Sequence, residues 1–273
     1  VKIGPDAARY LAAGDGHRVS RPFHLRWSLP FLCGSNVRAW WVVWLASWPV
    51  MAAAMVAWRI VVGDGWRVAV AAAVVLAGLP GIVGPQVVVP VGVDLPATAT
   101  TLVGVWLMSM GQPGQVAAGV VVVALAATMK ESAPVFAALW AWSLWPLVAL
   151  VVVAVRWLIV KPGPDPLGPR FQAIADHPVR EAGAAHRGRW RDGWLMVAPW
   201  GVGLIALHSL SVQLVVTVAV AYALLLVATD TVRIVQHAAG PVVAAAACAQ
   251  VPVGWLPVVC VFGVVWFWQV ERV

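Results

Sequence analysis

The chain alternates between long apolar runs and short polar joints. Residues 1–37 carry charges and three prolines (Pro5, Pro22, Pro30), and no run there is long enough to cross a bilayer. Nine apolar segments follow, at 38–62, 67–84, 94–110, 115–128, 133–160, 194–209, 211–228, 239–251 and 253–269. A straight helical span needs about twenty residues, so 115–128 is short, and the last two segments read as two spans or as one broken hairpin. The runs are continuous rather than alternating, and backbone in lipid must satisfy its own hydrogen bonds, which makes the spanning element a helix. The pattern predicts an all-α fold: a polytopic transmembrane helix bundle of about eight to ten spans. Residues 1–37 form a polar surface segment, 38–160 carry helices one to five, 161–193 a cytoplasmic loop and 194–269 helices six to nine.

Two stretches interrupt this scheme. Residues 80–96 are apolar but too rich in Pro and Gly for a regular helix. They line a wet or protein-filled cavity, or they form a plain loop outside the membrane. Residues 161–193 are rich in Arg, and Phe171 and Ile174 suggest a short surface helix stopped by Pro178.

Composition narrows the class. Of 273 residues, 62% are hydrophobic and only 11% charged, against about a quarter charged in soluble domains. That excludes a cytosolic enzyme, a disordered chain and a secreted disulfide scaffold. The net charge of +7 comes from basic residues clustered at 2–38 and 156–191, without any nucleic-acid-binding motif. Membrane lipids are therefore the expected partners, and nucleic acid is not. Cys33, Cys248 and Cys260 match no redox or metal spacing. Several of the eighteen tryptophans end apolar runs (Trp40, Trp41, Trp66, Trp157, Trp190, Trp194, Trp266, Trp268), as in an interfacial aromatic belt.

Nine crossings put residues 1–37, 84–94, 129–132 and 209–211 on one side. The joints 63–66, 161–193 and 229–238 and the C-terminus fall on the other. Seven of the eighteen Lys and Arg then lie on the first side and eleven on the second, which makes the second cytoplasmic. The acidic groups Asp6, Asp15, Asp94 and Glu131 share the first, outer side. Each has a bland explanation beside a chemical one. Asp94 before Leu-Pro suits a helix N-cap. Lys130 and Glu131 suit the helix ends they join. Arg21 and Arg26 suit lipid phosphates, and Asp6 suits solvent or a cap. On the second side, Asp230, Arg233 and His237 share one helix face, as a snorkelling interfacial pair would. His208 ends a span and reads as interfacial.

Taken together, Gly4-Pro-Asp-Ala-Ala-Arg-Tyr10, Phe23-His-Leu-Arg-Trp-Ser-Leu-Pro30, Val93-Asp-Leu-Pro96 and Met129-Lys-Glu-Ser132 resemble elements of the multi-spanning C-type glycosyltransferases, which use polyprenyl-phosphate-linked sugars. The resemblance runs over residues 4–135, with a weaker echo at 228–233. It implies an integral protein of a bacterial plasma membrane that moves a sugar to an envelope glycan, lipid or protein. The family's acidic residue follows its first transmembrane helix, so a helix upstream of Val1 is expected; a GTG start codon is the plainer explanation of Val1. By the same resemblance Asp6 is the catalytic base. Arg26, with Arg9 or Lys130, binds the donor phosphate. Tyr10, His24, Asp94 and Glu131 contact sugar, acceptor or an optional divalent cation (Mg or Mn); no other cofactor is implied. A transporter or flippase, and a non-catalytic degenerate relative, are the alternatives.

Overall fold

In the computed structural model, residues 5–79, 81–82, 91–169, 172, 176–189, 199–227 and 231–270 are described. Every regular element among them is a helix. The polar N-terminal segment folds first into α1 (Pro5–Gly14), a 3-10 turn (Phe23–Leu25) and α2 (Ser28–Cys33). It is amphipathic rather than simply polar. Tyr10, Val19, Phe23, Leu29 and Cys33 turn inward with Trp40, Val93, Ala97 and Met129 to form a small second core over one end of the bundle. Trp40 is therefore no belt residue: it is 1% exposed, lies beside Tyr10, and donates from Nε1 to the Gly34 carbonyl.

The bundle opens with α3 (Val37–Val61), capped by the Asn36 side chain, and returns through α4 (Trp66–Ala77). Next come α5 (Asp94–Ser109) and α6 (Pro113–Met129), each with a proline in its first turn, where a missing N–H costs nothing. The α5–α6 crossing is close because Gly104 faces Gly119. A Cβ on Gly119 would lie 2.7 Å from the Gly104 carbonyl oxygen, and small residues let helix backbones approach in this way.

The apolar run 133–160 departs from expectation. It does not form one span. It forms α7 (Ala133–Ala141), a break at residues 142–144, a 3-10 turn (Trp145–Ala149) and α8 (Leu150–Ile159). Trp142 ends α7 in the left-handed region at φ 50°, and Pro146 lies in the turn that follows. At 1.5 Å per residue α7 descends only about 13 Å. The chain then climbs back, and Arg156 Nε donates to the His24 carbonyl oxygen, 3.3 Å away in the N-terminal segment. The pair is a helical hairpin whose two ends meet the same face of the bundle.

A helix α9 (Pro178–Arg189) follows, touching the 3-10 turn Leu224–Leu226. Pro178 opens this helix, and Asp176 just before it is also helical; Phe171 and Ile174 lie outside the described residues, as do 83–90. A 3-10 helix (Gly201–His208), α10 (Val212–Ala223), α11 (Thr231–Ala249) and α12 (Leu256–Val270) complete the bundle. The last helix before residue 250 begins eight residues earlier than its apolar pattern, because Arg233, Gln236 and His237 are inside it. The main core runs between α3, α4, α5, α7 and α11, through Met55, Trp58, Leu76, Leu102, Phe136, Trp140 and Ala239. Among the described residues one helix, α3, is long and apolar enough to cross a membrane; α4, α6 and α10 are apolar but shorter.

Candidate functional site

Polar side chains converge where the N-terminal segment covers the bundle. The rise of α1 places Asp6 and Arg9 on one face, three residues apart, and Arg9 Nη1 donates to Asp6 Oδ1 at 3.2 Å. From α11, Arg233 reaches across with both arms. Its Nη1 donates to Asp6 Oδ2 at 2.6 Å, and its Nε donates to Asp94 Oδ2 at 2.6 Å. Lys130 Nζ donates to the other oxygen of Asp94. At the opposite end of the run, Arg9 Nε and Ser20 Oγ both donate to Asp165 Oδ2, at 2.8 and 2.6 Å. Asp165, Arg9, Asp6, Arg233, Asp94 and Lys130 thus form one unbroken run of alternating charge. It holds three acids and three bases and carries no net charge.

Beside it lies a seventh and eighth charge. Arg26 holds Glu131 through two parallel bonds, Nε to Oε2 and Nη2 to Oε1, both 2.7 Å, in the bidentate geometry that makes such pairs strong. Its Nη1 donates to the Tyr10 hydroxyl at 2.8 Å. Burial alone would push the Glu131 carboxyl up, but the Arg26 guanidinium outweighs it and holds the group below its ordinary range. Burial would likewise pull Arg26 down, and Glu131 keeps it fully charged. Burial raises Tyr10 above the ordinary tyrosine range, so its hydroxyl keeps its proton. Asp165 is held low despite burial by the bonds from Ser20, the Leu167 backbone N–H and Arg9.

Of the residues singled out from sequence, Asp6, Arg9, Tyr10, Arg26, Asp94, Lys130 and Glu131 are brought together here. The side chains of Asp94 and Lys130 spend themselves on each other rather than on caps: Val93 is the residue preceding α5, and no side chain caps that end. His24 stands to one side, 5% exposed, its ring 5.7 Å from that of Trp157. Burial, then Arg21 and Arg156, lower its pKa and keep the imidazole neutral at physiological pH.

Three contributors escaped the sequence. Arg233 and His237 were expected on the opposite side of the bundle; Arg233 joins Asp6 to Asp94, and His237 Nδ1 lies 3.2 Å from Thr98 Oγ1, one turn below Asp94. Asp230 lies outside the described residues. Asp165 belongs to the expected cytoplasmic loop yet is bound to Arg9, and Gly163 N donates to the Val19 carbonyl at 3.0 Å. The 133–159 hairpin explains both differences, because it returns the chain to its starting face and reverses the end at which everything that follows lies.

The carboxylates do not suit a divalent cation as arranged. Asp6 and Asp94 share Arg233, whose positive charge would face the metal. Among the described residues no group of three His, Cys, Asp or Glu forms a metal site. A cleft of about 240 Å³ runs between the Gly201–His208 turn, α10 and α11, lined by Leu204, Leu207, Leu214 and Val218, and none of the residues named above lines it. Compared with known proteins, the chain matches no family model, no curated protein and no solved structure.

Proposed function

We propose that the protein is a polytopic membrane enzyme of a bacterial plasma membrane, a glycosyltransferase moving a sugar from a polyprenyl-phosphate donor to a hydroxyl acceptor at the charged end of the bundle. One observation carries this: an alternating run of six charged side chains, drawn from three helices and two joints, sits at the end of an otherwise apolar helical bundle. Buried ion pairs contribute little net stability compared with apolar packing, and ionisable groups in a membrane protein mark function by default. The bundle's surface supports the membrane setting. Val42, Leu45, Val151, Leu158, Ile159, Val212 and Phe262 point outward, each at least 55% exposed, while the charges point in.

The chemistry follows from charge balance. Asp6 is the most exposed acid of the run, its side chain 30% accessible, and two arginines hold it. A donor phosphate arriving at Arg9 and Arg233 competes for those guanidiniums and releases the Asp6 carboxylate. Asp6 then takes the proton of the acceptor hydroxyl. The acceptor oxygen bonds to the anomeric carbon, the bond from that carbon to the phosphate oxygen breaks, and the electron pair leaves on the phosphate. Arg9, Arg233 and Lys130 offset the charge that grows there. Asp94 and Glu131 fix Lys130 and Arg26, and Tyr10 supports Arg26.

The test is transfer of a radiolabelled sugar from a polyprenyl-phosphate donor in proteoliposomes. Asp6→Asn should abolish transfer while leaving membrane insertion normal; undiminished transfer in that variant rejects Asp6 as base. The re-entrant hairpin is also a transporter feature. Substrate counterflow without glycan product would favour transport instead.

A further inference from the structure

The eight charges of the network cancel, yet the same end of the protein carries two arginines outside it. Arg21 lies with its guanidinium 4.7 Å from the Trp157 ring centre, and Arg156 lies 5.5 Å from that of Trp27. Neither makes an ion pair with a carboxylate among the described residues. Glu131 is taken on both oxygens by Arg26. Between them sits His24. Its carbonyl accepts from Arg156, its ring faces Trp157, and its Nδ1 is buried with no hydrogen-bond partner. Buried polar atoms are nearly always satisfied, so an orphan beside two uncompensated cations asks for a ligand. Trp27 and Trp157 are 39% and 49% exposed, and Phe31 and Leu158, their near neighbours in sequence, are 82% and 81% exposed. Positive charge and outward apolar surface are therefore adjacent.

We infer that Arg21, Arg156 and His24 form a separate anion seat for the phosphate of a phosphorylated amphiphile, with the apolar tail leaving along Trp27 and Trp157. The guanidiniums supply the fork geometry that phosphate takes up, and the two indole faces hold them in place by cation–π contact without neutralising them. His24 Nδ1, buried and without a hydrogen-bond partner beside them, is the third donor of the seat. The seat rests on its own geometry and not on sugar transfer; a protein with no transferase activity would bind the anion there equally.

Native mass spectrometry of the full chain in detergent, titrated with phosphatidic acid, phosphatidylcholine or inorganic phosphate, tests this. Phosphatidic acid should bind in preference to phosphatidylcholine. Arg21→Gln and Arg156→Gln should each weaken it about tenfold, the scale of one charged hydrogen-bond partner. Competition by inorganic phosphate at similar concentration would identify a soluble phosphate as the natural ligand of the same seat; its failure to compete would identify the lipid. Arg21→Lys, which keeps the charge in place, controls for folding and should retain most of the binding. Unchanged phosphatidic acid affinity in the two Gln variants overturns the seat, whatever happens to transfer in Asp6→Asn.

Discussion

Replacing Asp94 by Asn tests whether the charged run exists as described. Asp94 is 1% exposed, and its carboxylate neutralises two cations. The Asn amide keeps the shape and loses the charge. Arg233, with 19% of its side chain accessible, can turn toward Asp6 and water, but Lys130, at 4%, has nowhere to go. Stranding one partner of a buried pair costs about 3–5 kcal/mol, and the freedom of Arg233 puts this case near the lower figure, about 3 kcal/mol. For a chain of this size that lowers Tm by roughly 6–12 °C. Cys33 and Cys248 are free and buried, so a thiol-reactive fluorophore reports unfolding in detergent without added labels. The double variant Asp94→Asn with Lys130→Met removes the stranded charge and should recover about 1–3 kcal/mol of the loss, the range for coupled neighbours. A Tm within a degree of the parent for Asp94→Asn, or a double variant no better than the sum of its singles, refutes the pairing.

Three further outcomes are expected. Because Arg26 depresses the Glu131 carboxyl in the folded state, that pair stabilises above the ordinary glutamate value near 4.5 and is lost as pH falls below it. The difference in Tm between the parent and Glu131→Gln should therefore shrink between about pH 6 and pH 3, and a constant difference counts against the pair. Gly119→Ala forces a Cβ to 2.7 Å from the Gly104 carbonyl oxygen; the overpacking should cost about 1–3 kcal/mol by the same unfolding assay, and a neutral result denies the close crossing. In a cysteine-free background, His17→Cys at the charged end should resist a membrane-impermeant maleimide added outside cells, while Gln112→Cys at the other end should react; the reverse labelling would place the charged end outside.

Asp165 and Arg233 lie at the same end of the bundle as Asp6 rather than opposite it, and one joint accounts for the difference. Lys130 and Glu131 were legible because charges are rare in this chain and the two stand between apolar runs, and Asp6, Arg9 and Arg26 because they lie in the motifs that carry the family resemblance. Nothing comparable marked the turn at residues 142–144. The left-handed position is filled by Trp142, not by a glycine, and the flanking residues are apolar, so hydropathy reads straight through. Two signals were present: a run from 133 to 160 exceeds the twenty or so residues that one span needs, and Pro146 with Ser143 can interrupt it. Treated as a single span, it sent Asp165 and Arg233 to the wrong end and hid the middle of the charged run.

The same hairpin decides where the basic residues fall. Read as a crossing, it divided them seven to eleven in favour of the end opposite Asp6. As a return, it brings Arg156, Lys161, Arg180, Arg187 and Arg233 to join Arg9, Arg18, Arg21, Arg26, Arg38 and Lys130. Arg59 and Arg67, at the α3–α4 joint, are what the described residues leave at the opposite end. In the membrane setting proposed above, positive charge flanking apolar spans is retained in the cytoplasm, so the tally favours an inner-leaflet position for Asp6, the run of paired charges and the Arg21–Arg156 pair. A phosphorylated substrate would then meet the protein from the cytoplasmic side, where anionic headgroups are concentrated and draw basic segments to the surface.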